Sequence, residues 1–276
     1  VHLPADFVFS QDSLQDFVDC RRRFQLKHVL RLAWPGVEAE PVLEHERHLQ
    51  KGAAFHRLVH QHVSGVPPAA LSRTIADEEL LTWWNNYVDH RPADLPENRH
   101  SELLLTAPLG ERRIVARYDL VAVEPGKRAV VVDWKSSRRK PRREDLAERL
   151  QTRVYPYLLV VAGASLNGGT ALRPEQVEMV YWYAAFPDEP DTFPYDREQY
   201  DRDAAYLEEL AGEIESLPEG EQPLTEDRSR CRYCVYRSLC ERGVGPALLD
   251  GTADVDGTGE SPEFPFEFGE IEEVVY

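Results

Sequence analysis

Apolar and polar residues alternate from Arg113 to Val123, then close into an unbroken apolar run at Val130-Val131-Val132. Alternation predicts a strand with one buried face, and a continuous β-branched run predicts a strand buried on both. Glu124-Pro125-Gly126-Lys127 between them is turn chemistry, so the two runs, Arg113 to Val123 and Arg128 to Ser136, are expected to form a hairpin. Further strands are predicted over Ser101 to Ala107 and over Glu178 to Phe186. Helical spacing predicts a helix from an N-cap at Ser10 to about Val29, ended by Pro35-Gly36. Others are predicted over Glu44 to about Val63, Asp77 to about His90, Glu144 to about Val161 and Arg197 to about Leu217. Gly65-Val-Pro-Pro68 is a loop, and Pro156 should remove one backbone bond and kink the fourth helix. This order of helices and strands implies a mixed sheet with helices packed on it.

The apolar run ends in Asp133-Trp134-Lys135, and a period of two puts Asp133 and Lys135 on one face. Across the expected hairpin Asp119 falls within about one residue of Asp133, at roughly 5 Å between Cβ atoms. Two carboxylates that close repel unless a cation lies between them. Either a hard divalent ion such as Mg²⁺ is bound there, or Asp133 and Lys135 are a structural pair with an unrelated second Asp. His56 and His60, four residues apart, share a helix face and could add an imidazole, although Arg57 stands where a metalloprotease-type motif would carry Glu. Glu102 begins the first predicted strand and could reach the same place, though a solvated strand end is the simpler reading.

At 276 residues, 42% apolar and 29% charged, the chain suits one large globular domain with appendages. No run approaches the ~18 apolar residues of a membrane span. Asp6, Gln11 and Asp12 replace the basic-then-apolar pattern of a leader, so the expected compartment is the cytoplasm and no membrane partner is expected. The net charge of −17 argues against nucleic acid until its distribution is considered. From Ala247 onward there are nine carboxylates and no Lys or Arg, so residues 247–276 are expected to be a flexible acidic tail on a domain of residues 1–246. Elsewhere the chain carries basic runs, of which Arg138-Arg139-Lys140 with Arg142-Arg143 follows Lys135 and suits contact with phosphate. Of the four cysteines, Cys231, Cys234 and Cys240 lie close together and Cys20 lies far away. In a reducing cytosol such grouping favours metal binding over disulfides, as zinc or as an iron–sulfur cluster, with free thiols the remaining alternative.

Taken in order, Ser10-x2-Ser13-Leu14 leading to Cys20, Gly52-x3-His56, Arg117-Tyr-Asp119, Asp133-Trp-Lys135, Gln151-x3-Tyr155 and Cys231-x2-Cys234-x5-Cys240 resemble the PD-(D/E)XK nuclease superfamily. The resemblance is to its RecB-like, Cas4-like branch and covers about Ser10 to Arg242. It implies a restriction-endonuclease-like α/β core, with His56, Asp119, Asp133 and the backbone carbonyl of Trp134 binding Mg²⁺ or Mn²⁺. Lys135 would position the attacking water, and Gln151 and Tyr155 would hold the strand and site in place. Cys20, Cys231, Cys234 and Cys240 would carry a [4Fe–4S] cluster in a small subdomain joining the amino-terminal helix to residues 228–242. The implied function is hydrolysis of DNA, as single strands or duplex ends, with Arg138 and Arg139 among the residues holding phosphate. A CRISPR integrase or a helicase assembly would be the partner, in CRISPR adaptation or recombinational repair. A non-catalytic DNA-binding scaffold of the same fold is the alternative. Tyr118 before Asp119 and Pro156 after the Gln/Tyr motif depart from the family pattern.

Overall fold

The computed structural model describes residues 2–33, 40–231 and 234–242, without the side chains of 40–46. The expectations for Pro35-Gly36 and for the acidic tail lie outside these residues. The chain opens with β1 (Phe9–Ser10), α1 (Gln11–Asp19), α2 (Arg21–Phe24) and a π-helical turn over Gln25–Val29. Helices α3 (Glu40–Val63), α4 (Pro68–Ser72) and α5 (Glu78–His90) follow. Strands β2 (Asn98–Leu109), β3 (Arg112–Glu124) and β4 (Arg128–Lys135) come next, then α6 (Arg143–Ala147) and α7 (Leu150–Ala162). The described core closes with β5 (Val177–Tyr183), β6 (Phe186–Pro194) and α8 (Arg197–Glu215).

The strands form one 6-stranded mixed sheet in the order β1-β3-β4-β5-β6, with β2 also paired to β3. β3 is antiparallel to β2 and β4, while β4 and β5 run parallel. A parallel pair needs a crossover, which α6 and α7 supply. Both sheet faces are covered, which explains the unbroken apolar run of β4. On one face Val121, Val131, Met179 and Tyr181 pack with Phe17, Val154, Leu158 and Leu207 of α1, α7 and α8. On the other, Val130, Val132, Trp134 and Trp182 pack with Phe55 and Val59 of α3 and with Trp83, Trp84 and Tyr87 of α5.

Several elements differ from the expectations. The helix starting at Ser10 breaks at Cys20, whose backbone is extended at φ −166° and ψ 109°. The helix expected from Glu144 is two, α6 and α7, and α7 runs on through Pro156 to Ala162. The expected Gly65–Pro68 loop leads into the short α4. The strand expected to reach Phe186 ends at Tyr183, and Phe186 begins β6. β6 carries Pro187, Pro190 and Pro194, which argue against a strand; a proline lacks the N–H of a ladder bond, and β6 escapes the difficulty by lying at the sheet edge. The two-residue β1 is too short to show a period.

Candidate active site

The β3–β4 ladder runs from Glu124↔Arg128 to Leu120↔Val132 and stops there. The next pair in this register is Asp119 opposite Asp133. Past the ladder's end the backbone N–H of Trp134 donates instead to the Asp119 carboxylate, at 2.8 Å. In a strand a residue's N–H and C=O leave on the same side, so the Trp134 carbonyl faces this opening too. The Trp134 ring turns the other way, into the aromatic layer, with ring centroids 5.3 Å from Tyr87 and 5.6 Å from Trp182.

Each carboxylate is met by a different helix. His56 of α3 lies 3.0 Å from Asp119 through Nδ1. Gln151 of α7 donates to Asp133 Oδ1 at 2.6 Å and accepts from Lys135 Nζ at 2.9 Å. Lys135 Nζ also sits 2.9 Å from Asp133 Oδ2, as an ion pair. Tyr155, one helical turn after Gln151, packs its ring 4.9 Å from that of Tyr118, and the Tyr118 hydroxyl donates to the Tyr155 carbonyl at 2.9 Å. The Gln/Tyr pair of α7 therefore grips both strands, Gln151 at β4 and Tyr155 at β3 beside Asp119. Tyr118, unusual before an acidic site residue, is the partner of that grip.

Helix α3 reaches the sheet through Gly52. A Cβ there would lie 2.8 Å from the Ser136 hydroxyl, just past Lys135. One turn on, the same helix face presents His56 to Asp119, which accounts for the Gly52-x3-His56 spacing. His60 points to β2 instead, where Nδ1 is 2.8 Å from the Ser101 hydroxyl.

The electrostatics separate the two acids. Burial would raise Asp119, but the charge and hydrogen bond of His56 and the Trp134 N–H outweigh it and hold its pKa below the usual range. Burial raises Asp133, the attraction of Lys135 offsets part of this, and the charge of Asp119 pushes it up again. Burial alone would lower His56, but Asp119 more than compensates and its pKa is raised. Two neighbouring carboxyls with pKa values pushed apart are a common arrangement at reactive sites. The ligand atoms of His56, Asp119 and Asp133 do not all lie within 4.8 Å of one another. Asp12, Asp16 and His28 are the group of described residues that does, a cluster that the sequence did not reveal. Lys27 fills it, 2.5 Å from Asp12 and 3.1 Å from Asp16, and Arg23 lies 2.5 Å from Asp16. With two cationic side chains already seated there, it is an ion-pair network joining α1 to the turn after α2.

The basic segment after Lys135 is held by acids of this chain. Arg138 forks onto Glu79 of α5, with contacts of 3.1 and 3.3 Å, and Arg139 beside it is exposed. Lys140 lies 3.3 Å and Arg143 3.7 Å from Asp191 on β6. Cys20, Cys231, Cys234 and Cys240 line one small cavity, together with Arg23, Arg230 and Arg242. Arg242 donates to the Cys231 sulfur at 3.2 Å, and burial raises the Cys234 and Cys240 thiols.

Residues 8–241 match the family model of the PD-(D/E)XK nuclease superfamily, and the chain belongs to that superfamily. Two solved structures resemble it at low identity. One, a Eubacterium rectale protein provisionally named an exonuclease, has 11% identity and a TM-score of 0.51, covering 92% of this chain and all of that one. The other, SSO0001, has 15% identity and a TM-score of 0.43, covering 88% and 90%. No curated protein matches the sequence. The mixed sheet flanked by helices is consistent with a restriction-endonuclease-like core. Among the described residues no helix is long and apolar enough to cross a membrane.

Proposed function

We propose that this protein is a metal-dependent deoxyribonuclease of the RecB-like, Cas4-like branch, cutting single strands or DNA ends as an exonuclease. One observation carries the reading: in a chain of this superfamily, Asp119 and Asp133 stand opposite each other where β3 and β4 part, with His56 and Lys135 alongside. The residues fit a hard divalent cation, because the donors gathered where β3 and β4 part are carboxylate, imidazole and carbonyl. His56, Asp119, Asp133 and the Trp134 carbonyl would hold Mg²⁺ or Mn²⁺, which when bound supplies Lewis-acid polarisation of a phosphoryl oxygen. Lys135, held by Gln151, offers an ammonium to orient water and to offset charge building on the phosphate. Arg138, Arg139 and their neighbours would hold backbone phosphates by exchanging acids of this chain for those of DNA.

The four cysteines line one cavity, and four thiolates there suit either an iron–sulfur cluster or a zinc ion; the family resemblance favours the cluster. We assign them to a [4Fe–4S] cluster that cross-links residues 228–242 to the amino-terminal helices. Residues 1–246 are then the catalytic unit and 247–276 an appendage. Work within a CRISPR-adaptation or repair assembly follows from the family resemblance alone.

The test is cleavage of end-labelled and circular single strands with Mg²⁺ or Mn²⁺, with metal analysis of anaerobically purified protein. Metal-stimulated products from the labelled linear strand are expected, with iron and sulfide in the protein. Binding without products supports the scaffold reading, and zinc in place of iron overturns the cluster.

A further inference from the structure

The β2–β3 ladder pairs every position from Asn98↔Val123 to Leu109↔Arg112 except one, Glu102 opposite Asp119. Among the described residues Glu102 is also one of three non-glycine residues with positive φ, at +53°, a conformation that strains a residue of this type. Both strands change face at this pair. On β2, Ser101 contacts His60 of α3, whereas Leu103 and Leu105 join the layer under α7. On β3, Ala116 and Tyr118 join that same layer, whereas Leu120 joins the layer under α3. In an unbroken strand, residues two apart share a face. The switch therefore lies at Asp119, which meets His56 of α3 while Leu120 after it stays on that same side.

If Glu102 served only to turn the backbone, glycine would do so without strain. A carboxylate kept in this conformation calls for a use of its own. Among the described residues its one ion-pair contact, to Arg117, is long at 3.6 Å, and its side chain is 35% exposed. Arg117 lies between Ala116 and Tyr118 of the α7-side layer and so faces the α3 side, which puts the Glu102 carboxylate on the side of His56; burial and then the charge of Asp119 raise its pKa.

We propose that Glu102 is a positioning residue of the hydrolytic site, its carboxylate adding negative charge to the cation position on the side of Asp119 away from Asp133. This rests on the metal-dependent reading above. A hydrated divalent cation keeps several waters, and acceptors around those waters contribute to its affinity. Glu102 is the carboxylate the fold places to accept from them.

The test compares Glu102→Gln, which keeps shape and removes charge, with Glu102→Gly, which keeps the left-handed backbone and removes the carboxylate. Mn²⁺ binding is measured by calorimetry on the full chain without DNA, and kcat on a linear strand. Both variants are expected to fold, the glycine one with unchanged or higher Tm. Both should bind Mn²⁺ about tenfold more weakly, with kcat reduced by a similar factor. Wild-type Mn²⁺ affinity and kcat in both variants would overturn the role of Glu102 while leaving the nuclease standing. A wild-type chain that neither binds Mn²⁺ nor cuts would overturn the metal-dependent reading, and this proposal with it.

Discussion

The end of the β3–β4 hairpin and the cysteine corner are assembled by opposite means. At the hairpin, register does most of the placing: five ladder pairs bring the ends of β3 and β4 together in a core buried on both sides, and Asp119 and Asp133 follow the last of them. At the cysteine corner, segments about two hundred residues apart are drawn together by polar contacts. Arg230 lies 3.1 Å from Asp19 and Arg22 2.6 Å from Glu221. Gln25 donates to the Gly220 carbonyl at 2.7 Å and accepts from the Gln222 N–H, and the Tyr236 hydroxyl donates to the Leu32 carbonyl. Exposed ion pairs contribute little each. The hairpin site therefore has structure to spare and chemistry to lose, whereas the corner would depend on the proposed cluster.

That contrast predicts where substitutions show. Lys135→Ala or Asp133→Ala should lower kcat on DNA by about 10²–10³ or more, since each removes charge at the reacting centre. Burial already disfavours the charged form of Asp133, so its removal should leave Tm close to wild type. An unfolded Lys135→Ala chain would show that the pair is structural. Cys20→Ser should do the reverse. With one ligand gone, iron content falls, and because cluster binding is linked to folding, Tm should drop by roughly 10 °C. A Cys20→Ser protein with full iron and unchanged Tm would remove Cys20 from the ligand set.

The same contrast explains what was legible in the sequence. Period-two alternation and a turn signal suffice to bring Asp119 and Asp133 to the same end of the hairpin, because a one-residue slip would disturb the burial of β4. His56 and Gln151 could be singled out by helical spacing, but their partners come from tertiary packing: the close approach of Gly52 to Ser136 for one, the grip of Tyr155 on Tyr118 for the other. Glu102, opposite Asp119, was read as a solvated strand end because a positive φ at Glu carries no compositional mark. The break at Cys20 was missed for a related reason. Arg21 to Phe24 continue a good helical pattern, and only the demands of a distant segment turn Cys20 out of it. β6 stayed hidden because its prolines speak against a strand, and edge position cannot be read from local sequence.

Stability at low pH should depend on the amino-terminal ion-pair network more than on the site. Burial opposes ionisation of Asp16, but the hydrogen bond from His28 and the charges of Lys27 and Arg23 lower its pKa to about 2. A depressed carboxylate stabilises the fold at pH values above its ordinary pKa of 3.8, and that contribution is lost as pH falls toward 2. Asp16→Asn should cost about 2 kcal/mol at neutral pH and flatten the acid limb between pH 4 and 2, read from urea unfolding at a series of pH values. An unchanged acid limb would put the protonation elsewhere.

The finest distinction concerns His56, whose shift runs the other way. Its folded pKa lies above 6.5, because Asp119 outweighs the burial that would lower it. The unfolded chain titrates near the ordinary value, so the pair with Asp119 stabilises the fold fully below about pH 6.5 and ceases to as pH rises through the raised value. A cation needs the neutral imidazole and must displace that proton. Stability from the pair and affinity for Mn²⁺ should accordingly move in opposite directions with pH. As pH climbs past the His56 pKa, the Tm difference between wild type and His56→Asn should shrink while Mn²⁺ binding to wild type tightens. Calorimetry in buffers of different ionisation enthalpy should show release of up to one proton per ion below that pKa. His56→Asn should lose this proton release and bind more weakly throughout. If instead both proteins show the same pH dependence of Mn²⁺ binding, His56 belongs to Asp119 as a structural partner, and the cation is held by the carboxylates without it.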